Sequence, residues 1–457
     1  MVRLFHVYYP IRSLVLLGGE ILVVGFSFLL ATIVRFGPDS YLMLNYENGF
    51  YKILCVTGCS ILCFHCFDLY APQQFNSKDE LYVRLLAVLG TLAFLLGIAS
   101  YLFPRLMVGK GVYLIGLFIL TFTLLIWRST YSWLMKQSFL RERVFVLGSG
   151  ERAERLVRAL GSRTDLGLDV VGWIDGAPNG DSLREHIASA SKGMAKGVGI
   201  EQVIIAMPER RGKLPVQELL DLRVSGVRVQ DAHALLEKIS GYIEIDDLNP
   251  SALIFADGFR LNSSFLLARR VISVAVALII LLLCLPVIPI IIVAIRLTSP
   301  GPVLFRQQRV GRAGEVFTLY KFRTMAVDAE AECGPKWADN DDPRITKIGR
   351  FLRISRLDEI PQLWNVLKGD MGFVGPRPER PEFVQWLATS IPYYNMRHII
   401  RPGITGWAQV RYQYGASLQQ TKQKLQYDLY YIKHMSLMFD VLILLETVKT
   451  VIRARGR

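Results

Sequence analysis

Long apolar stretches fill the first third of the chain. They are residues 12–34, 51–69, 83–104 and 112–134. Each reaches about 20 residues, the length that a helix needs to cross a bilayer. Arg3 and Arg12 flank the start of the first stretch, and Lys136, Arg141 and Arg143 follow the fourth. Because basic residues favour the cytoplasmic side, residues 1–140 are predicted to form four transmembrane helices with both ends in the cytoplasm.

Shorter apolar runs separated by amphipathic segments characterise residues 141–262. The runs in "RVFVLGSGERAERLVRAL", "LDVVGWID" and "QVIIAMP" predict buried strands with helices between them, as in a Rossmann-like parallel α/β domain. Gly148, Gly150 and Ala153 match the G-x-G-x-x-A turn of dinucleotide-binding domains. Asp175 follows the next strand, about where a ribose-binding acid would lie. The same small residues would also let a helix pack closely on a strand, so nucleotide binding and a structural role both stay open.

Prolines interrupt the next apolar segment, at about 267–296. Pro286 and Pro289 lie in its middle, where each removes a backbone donor and costs an ordinary helix about 3 kcal/mol. Basic residues flank both ends, among them Arg270 and Arg296. The length would allow a fifth crossing, but the prolines and the two basic ends favour a re-entrant helix that enters and leaves on one side.

The composition fits a membrane protein that meets anionic partners. Hydrophobic residues make up 52% of the 457, charged residues make up 20%, and the mean hydropathy is +0.32. The net charge is +14. In so apolar a chain, this excess fits a cytoplasmic membrane surface and anionic substrates better than nucleic acid. The 6 cysteines of so long a chain do not indicate a disulfide framework.

Cations recur at every third position between 344 and 356. They are Arg344, Lys347, Arg350, Arg353 and Arg356, with no acid at the intervening positions after Arg344. One interpretation is a basic amphipathic helix that lies on anionic lipid. Another is a set of guanidinium groups that bind phosphate. Both interpretations hold if the substrate is itself a phosphorylated lipid.

Two adjacent carboxylates, Asp358 and Glu359, follow this run directly. Such neighbours repel each other unless a positive charge lies close to them. Pro361 is tolerated only in the first turn of a helix, which predicts that the pair lies at or near a helix N-terminus. Taken alone, the pair fits a helix cap. The apolar face predicted for this helix comprises Leu357, Ile360, Leu363, Trp364 and Leu367.

Further arginines and a further acid occur towards the C-terminus. "GPRPE" places Arg377 between two prolines, and "RPGITGWAQV" places Arg401 before a proline and two glycines that let a ligand approach the backbone. Asp428 precedes a hydrophobic stretch with aromatic residues suited to a membrane interface. Fixed arginines, several carboxylates and a lipid-facing surface together indicate phosphoryl chemistry at a bilayer.

Several motifs in this order carry a family resemblance. "KFRTM", "LDEIPQLWNVLKGDMGFVGPRPE" and "RPGITGWAQV", behind a proline-broken segment, resemble the bacterial sugar transferase family. Its members are monotopic polyprenyl-phosphate hexose-1-phosphate transferases, or phosphoglycosyl transferases, and the likeness covers about 265–457. The N-terminal helices and the α/β domain resemble the long, WbaP-like branch that starts exopolysaccharide or O-antigen repeat units. The resemblance implies an α+β membrane protein whose catalytic domain is 263–457.

The resemblance also implies residue roles. Asp358 matches the family's nucleophile, which takes a sugar phosphate from a UDP-sugar with release of UMP and then yields it to undecaprenyl phosphate. Glu359 matches the second acid, which together with Asp358 helps to hold Mg²⁺. The predicted substrate-binding residues are Lys321, Arg323, Arg377, Arg401, Gln409 and Asp428. Pro286 matches the proline of the re-entrant break, although this chain has Leu285 where the family usually has a serine. Arg356 replaces a residue that is small or polar in many members.

The expected partners are a UDP-sugar, undecaprenyl phosphate and anionic inner-membrane lipid, and no nucleic acid. Because UDP-sugars are cytoplasmic, the catalytic domain is expected on the cytoplasmic face of a bacterial inner membrane, which favours the re-entrant helix. The α/β domain is expected to be mainly structural, with a homodimer contact as one use for it. The sequence leaves the sugar open among glucose, galactose and an N-acetylated hexose.

Two other functions fit parts of the chain. A membrane-tethered NDP-sugar oxidoreductase or dehydratase would use the α/β domain, but such enzymes typically carry a Tyr-x-x-x-Lys couple, and none of the 19 tyrosines here has that lysine. A non-catalytic scaffold for other polysaccharide enzymes is the second. The presence of Asp358, Glu359, Arg377 and Arg401 argues against it.

Overall fold

The structure, a computed structural model, describes most of the chain. The described residues are 1–4, 7–70, 78–104, 109–137, 140–148, 150–174, 199–207, 214–246, 258–259, 262–326, 342, 344–412 and 417–453. The chain divides into two compact units, residues 1–3 with 8–236 and residues 4–7 with 237–457. The domain limits predicted at 140/141 and 262/263 stay predictions.

Helices form the first part of the first unit. Two short strands, Val2–Leu4 (β1) and Val7–Tyr9 (β2), come before them. The helices are Ile11–Phe36 (α1), Ser40–Asn45 (α2), Gly49–Cys66 (α3), Lys78–Leu102 (α4) and Lys110–Lys136 (α5). The four predicted apolar stretches coincide with α1, α3, α4 and α5, which confirms that they are helical.

These helices have the two-sided burial expected of a bundle in lipid. Phe28, Phe64 and Leu120 are buried between helices, while Leu22 is 74% exposed and Phe118 is 67% exposed. Apolar side chains of this size on outer faces are favourable where the surroundings are lipid. Within the described residues, five helical segments are long and apolar enough to cross a membrane, and the fifth is Ser263–Cys284.

A buried ion pair links three of these helices. Arg128 of α5 lies 2.5 Å from Glu20 of α1, and both side chains are buried. Arg128 also donates to the carbonyl of Leu69, just after α3. Because an unpaired charge among apolar helices is costly, this pair fixes the register of α1 against α5.

A four-stranded sheet follows in the same unit. Its strands are Glu142–Leu147 (β3), Leu168–Ile174 (β4), Gln202–Ile205 (β5) and Arg228–Asp231 (β6), in the order β4-β3-β5-β6 with every pairing parallel. The accompanying helices are Glu151–Ser162 (α6), Val216–Val224 (α7) and Ala232–Ser240 (α8). Alternating strands and helices give crossover connections, so the predicted parallel α/β sheet is confirmed.

The glycine-rich turn after β3 has a packing explanation. Gly148 has φ +150°, and a Cβ added there would lie 2.5 Å from the carbonyl carbon of Ala206. The indole Nε1 of Trp173 donates to the Gly148 carbonyl at 2.8 Å, and Ala153 is fully buried. Close approach of backbones therefore accounts for Gly148 without a ligand. Asp175, the acid expected to bind ribose, lies outside the described residues.

The second unit mixes helices with short strands. Its helices are Ser263–Cys284 (α9), Val287–Thr298 (α10), Lys347–Ile354 (α11), Gln362–Lys368 (α12), Pro381–Ser390 (α13), Trp407–Arg411 (α14), Leu418–Lys433 (α15) and Leu437–Ile452 (α16). Its strands are Leu304–Val310 (β7), Val316–Phe322 (β8), Gly372–Val374 (β9) and Gly403–Thr405 (β10). β7 and β8 form an antiparallel hairpin, and β9 and β10 pair in parallel. This unit holds the predicted catalytic residues.

Proline breaks the long apolar helix where the sequence predicts it. α9 ends at Cys284, and α10 begins at Val287, directly after Pro286. The lost backbone donor and the ring clash explain why the helix does not continue through this point. Leu282 is 71% exposed and Ile290 is 68% exposed. The break thus lies within a surface that water would solvate poorly and lipid would solvate well.

Both ends of the broken segment are fastened to the same unit. Near the start of α9, Arg270 donates to the carbonyl of Leu367 at 2.8 Å. After the end of α10, Arg323 donates to the carbonyls of Ser299 at 2.8 Å and Pro300 at 2.7 Å. Both ends of the segment are therefore anchored within the second unit.

Candidate active site

A single turn presents the two adjacent carboxylates. α11 ends at Ile354, and Arg356 then takes a left-handed conformation with φ +55°. This residue reverses the chain into the one-turn 3₁₀ helix Leu357–Glu359, and Pro361 directly precedes α12. The prediction that the pair lies at a helix N-terminus is confirmed.

The pair is buried against an apolar helix face. Asp358 is 7% exposed and Glu359 is 8% exposed. Ile360, Leu363 and Val366 form the buried face beneath them. A carboxylate in such surroundings is stable only with cations close by, since burial penalises its charge.

The predicted apolar face of α12 is wrong at Trp364. This indole is 62% exposed. The buried positions recur instead at every third residue, Ile360, Leu363 and Val366, and Val366 is fully buried. The 3₁₀ turn before the helix winds more tightly than an α-helix, which shifts Trp364 out of the buried face. Phe351 and Ile354 of the neighbouring α11 are also exposed, so the region presents apolar side chains outward.

Lys321 lies against both carboxylates. Its Nζ is 3.1 Å from Glu359 Oε1 and 3.7 Å from Asp358 Oδ2. The lysine is on β8, held opposite Phe305 in the β7–β8 hairpin. A cation shared by both acids answers the problem of their mutual repulsion.

Two arginines complete the charge around Glu359. Nη2 of Arg377 lies 3.0 Å from Glu359 Oε1, and Nη1 of Arg356 lies 3.8 Å from Oε2. These cations come from β8, from the turn and from "GPRPE", which are far apart in the sequence. Lys321 and Arg377 are therefore the predicted substrate-binding residues that the fold brings to the pair.

The two carboxylates have opposite pKa shifts. Burial raises the pKa of Asp358, and the nearest cation, Lys321, opposes that rise without cancelling it. Burial alone would also raise the pKa of Glu359, but Lys321, Arg377 and Arg356 together hold that pKa well below its usual range. The cations around the pair thus favour the charged form of Glu359 more than that of Asp358.

The segment that carries Arg377 is held by backbone contacts. Gly375 donates to the carbonyl of Thr405 at 2.8 Å, and Gly403 donates to the carbonyl of Pro376 at 2.9 Å. A Cβ added at Gly403 would lie 2.1 Å from the nitrogen of Gly375. The glycines of "RPGITGWAQV" therefore serve close backbone packing against "GPRPE".

The other predicted substrate-binding residues lie apart from the pair. Arg323 is 5% exposed and binds carbonyls at the end of the broken helix. Gln409 donates from Nε2 to the carbonyl of Ile404 at 3.2 Å. Asp428 is 2% exposed and lies 3.0 Å from Nη2 of Arg397. Arg401 lines a pocket together with three further arginines, Arg269, Arg270 and Arg312.

Sequence reasoning missed Asn365. Its Nδ2 donates to the carbonyl of Thr318 at 2.7 Å, and its Oδ1 accepts from the amide of Tyr320 at 3.2 Å. The side chain is fully buried and fixes α12 against β8, the strand that carries Lys321. An amide on an apolar helix face is the signal that could have revealed it.

Comparison with known proteins places the second unit in a family. The bacterial sugar transferase family matches residues 264–454, which include every residue of the site described above. The chain is 34% identical over 334 residues to the UDP-glucose:undecaprenyl-phosphate glucose-1-phosphate transferase of Escherichia coli strain K12, and this match covers 69% of each chain. The chain belongs to the bacterial sugar transferase family.

Two further relatives align with this chain over different shares of their length. The enzyme of the same name in Xanthomonas campestris pv. campestris is 30% identical over 436 residues, covering 87% of this chain and 85% of the relative. The UDP-N-acetylgalactosamine-undecaprenyl-phosphate N-acetylgalactosaminephosphotransferase of Aeromonas hydrophila is 42% identical over 221 residues. That match covers 48% of this chain and 51% of the relative, so it spans about half of each.

Proposed function

We propose that this protein transfers hexose-1-phosphate from a UDP-sugar to undecaprenyl phosphate, releases UMP and so starts a repeat unit of exopolysaccharide or O-antigen. The observation that carries the proposal is the buried pair Asp358–Glu359 held between Lys321 and Arg377. It lies in the region that matches the family, and the relatives named above act on undecaprenyl phosphate. Cations packed around a buried carboxylate suit a reaction between two anions.

Asp358 is the proposed nucleophile. Its carboxylate oxygen attacks the phosphorus that bears the sugar, and the bond from that phosphorus to the bridging oxygen breaks. UMP leaves with the electron pair, and the sugar phosphate stays on Asp358 as an acyl phosphate. An oxygen of undecaprenyl phosphate then attacks the same phosphorus, and Asp358 departs as a carboxylate. Splitting the transfer in this way replaces one difficult step with two easier ones.

The hydrogen bonds favour Asp358 over Glu359 for this role. Glu359 Oε1 accepts from Lys321 at 3.1 Å and from Arg377 at 3.0 Å. The nearest cation to Asp358 is at 3.7 Å. Because hydrogen bonds to a carboxylate stabilise its charge and weaken it as a nucleophile, Glu359 suits an electrostatic role and Asp358 suits attack.

Lys321 and Arg377 have a second proposed use. Both are within reach of the pair, and the side chain of Arg377 is 31% exposed. A guanidinium at this position can turn one face to Glu359 and another to a phosphate oxygen. We propose that the two cations hold the diphosphate of the UDP-sugar beside Asp358 and stabilise charge on the departing UMP.

Mg²⁺ fits the pair as an ion shared with the substrate. The donors are two carboxylates, which are hard oxygen ligands of the kind that Mg²⁺ prefers. Two side chains leave most of an octahedral shell to water and to substrate phosphates, as is usual for this ion. Asp358 and Glu359 Oε2 would hold it, since Oε1 already accepts from Lys321 and Arg377. When bound, the ion would neutralise charge on the diphosphate.

The broken helix supports a proposal for the membrane placement. We propose that α9 and α10 dip into one leaflet and return, so that residues 263–457 lie on the cytoplasmic face of the inner membrane. The contacts of Arg270 and Arg323 at the two ends of the segment support this placement. The exposed Phe351 and Trp364 suit the same interface, where anionic lipid would meet the cations of α11.

The reaction is tested with purified protein, Mg²⁺, undecaprenyl phosphate and a panel of UDP-glucose, UDP-galactose and their N-acetylated forms. At least one donor should release UMP and give a lipid-linked sugar diphosphate, as measured by nucleotide detection and mass spectrometry of the lipid. A protein that releases UMP with none of these donors, in detergent and in lipid nanodiscs, would contradict the proposal. The donor with the highest kcat/KM identifies the sugar.

If α9 and α10 form a re-entrant helix, residue 296 should be accessible to a labelling reagent only from the cytoplasmic side. In a chain whose 6 native cysteines are replaced, Arg296→Cys should react with a membrane-impermeant maleimide only after spheroplasts are opened. Glu47→Cys, between the first two predicted crossings, is the matched control and should react in intact spheroplasts. Labelling of Arg296→Cys from outside in intact spheroplasts would mean that α9 and α10 cross the bilayer.

A further inference from the structure

A buried ion pair lies behind the segment that carries Arg377. Arg397 and Asp428 are 7% and 2% exposed, and Nη2 of Arg397 lies 3.0 Å from Asp428 Oδ2. Nη1 of the same guanidinium donates to the hydroxyl of Tyr394 at 2.7 Å. Asp428 is too deeply buried to meet a substrate that binds at the surface. Its charge serves Arg397 instead.

Arg397 also binds the backbone of Arg377. Its Nη2 donates to the Arg377 carbonyl at 2.9 Å. On the other side of the same residue, the Arg377 guanidinium binds Glu359 Oε1 at 3.0 Å. Arg377 thus connects the carboxylates Asp358 and Glu359 to the buried ion pair of Arg397 and Asp428.

The sequence around Arg377 makes its carbonyl an important anchor. Pro376 and Pro378 have no N–H, so this segment has few backbone donors with which to fasten itself. It is held through three successive carbonyls instead: those of Pro376, Arg377 and Pro378 accept from the Gly403 amide at 2.9 Å, from Arg397 at 2.9 Å and from Arg309 at 2.9 Å. Of these donors, Arg397 is the one that sits in a buried ion pair.

We propose that Asp428 and Arg397 are positioning residues: Asp428 orients the Arg397 guanidinium, which fixes the Arg377 carbonyl and so aims the Arg377 side chain at Glu359 and at the substrate's diphosphate. The inference rests on the proposed function for its effect on turnover. The sequence predicts that Asp428 binds substrate, whereas this inference has Asp428 act on the substrate only through Arg397 and Arg377. A buried ion pair adds little to stability on average, whereas its fixed geometry suits such alignment.

Protonation of Asp428 should weaken this alignment. Burial raises the pKa of Asp428 to about 6, and Arg397 and Lys424 oppose the rise while Glu379 adds to it. Tyr394 also belongs to this cluster, and burial raises its pKa as well. As the pH falls through about 6, Asp428 becomes neutral and Arg397 loses its counter-charge. Turnover should therefore fall on the acid side.

Asp428→Asn tests the inference, because asparagine has the same shape without the charge. We expect kcat for UMP release to fall about 10- to 100-fold with a smaller change in KM, and the decline of kcat near pH 6 to be lost, leaving only the acid limb due to Asp358. Arg397→Lys, which keeps the charge but cannot reach Asp428, Tyr394 and the Arg377 carbonyl together, should show the same loss of kcat.

Glu237→Gln is the matched control. Glu237 is a buried carboxylate of the same unit, and its ion pairs at 2.8 Å join it to Lys433 and His434 rather than to the segment 376–378. It should lower the melting temperature without moving kcat or the acid limb. An Asp428→Asn protein with the wild-type kcat and pH profile, or a loss of kcat in Glu237→Gln as large as in Asp428→Asn, would overturn the inference.

Hydrogen exchange separates this inference from the proposed function. The peptide that covers 372–380 should exchange faster in Asp428→Asn and Arg397→Lys than in the wild type or Glu237→Gln. That measurement needs no turnover. If the wild type releases no UMP with any donor but the peptide responds as expected, the proposed function fails and the positioning contact stands. If the peptide does not respond in an active enzyme, the positioning role fails alone.

Discussion

Asp358→Asn should reduce UMP release by about 10³-fold or more, because the amide cannot form an acyl phosphate. Binding of the UDP-sugar should persist, since the cations that face the diphosphate stay in place. The measurement is the rate of UMP release alongside the dissociation constant of the UDP-sugar from titration calorimetry.

A labelled donor tests the covalent step directly. With UDP-sugar labelled at the phosphate next to the sugar and no undecaprenyl phosphate, the wild type should retain label on the protein, and hydroxylamine should release it. Glu359→Gln is the informative control, because it removes the neighbouring acid but leaves the nucleophile. Label retained on Asp358→Asn, or no label on the wild type, would contradict the assignment of Asp358.

The sequence predicts the membrane helices and the acidic turn well because each depends on local chemistry. An apolar run of suitable length forms a helix wherever lipid or a core receives it, as α1, α3, α4 and α5 do. Pro286 breaks its helix, and Pro361 marks the start of another, because a missing N–H and a fixed φ act within a few residues. These outcomes need no knowledge of distant contacts.

The contacts between distant segments are what local patterns do not reveal. Arg323 and Arg377 are both arginines in quoted motifs, yet Arg323 binds carbonyls at the end of α10 whereas Arg377 reaches Glu359. Asp428 and Arg397 are 31 positions apart and meet only in the folded chain. The sequence identifies charged residues, and the fold decides which of them face a substrate and which face one another.

The question raised by two adjacent carboxylates also has a tertiary answer. A helix N-terminus or a bound metal ion could each offset the repulsion between the two carboxylates without a side chain from a neighbouring strand. In the structure, Lys321 of β8 lies 3.1 Å from Glu359 and 3.7 Å from Asp358. The protein's own cations therefore allow the pair to be buried.

Lys321→Met should lower kcat/KM by about 10²-fold or more. Methionine keeps most of the side-chain volume but removes the cation nearest to both carboxylates, so charge on the departing UMP loses one stabilising group. The variant should also be less stable at neutral pH, because Asp358 and Glu359 then repel each other with Arg377 as the main remaining counter-charge. The measurements are kcat/KM for UMP release and the melting temperature across a pH series.

The pH dependence of that melting temperature distinguishes repulsion from a packing defect. Burial already raises the pKa of Asp358, and loss of Lys321 removes a cation that opposes the rise. With a raised folded-state pKa, stability is fully present below the ordinary carboxyl pKa and is lost as the pH rises through the raised value. The deficit of Lys321→Met relative to the wild type should therefore shrink as the pH is lowered. Lys368→Met, which removes a lysine 58% exposed beside Asp370, should show no such trend and near-normal turnover. A deficit that is the same at every pH would mean that Lys321 supports the fold by packing, and its charge would then not be what allows two carboxylates to lie side by side.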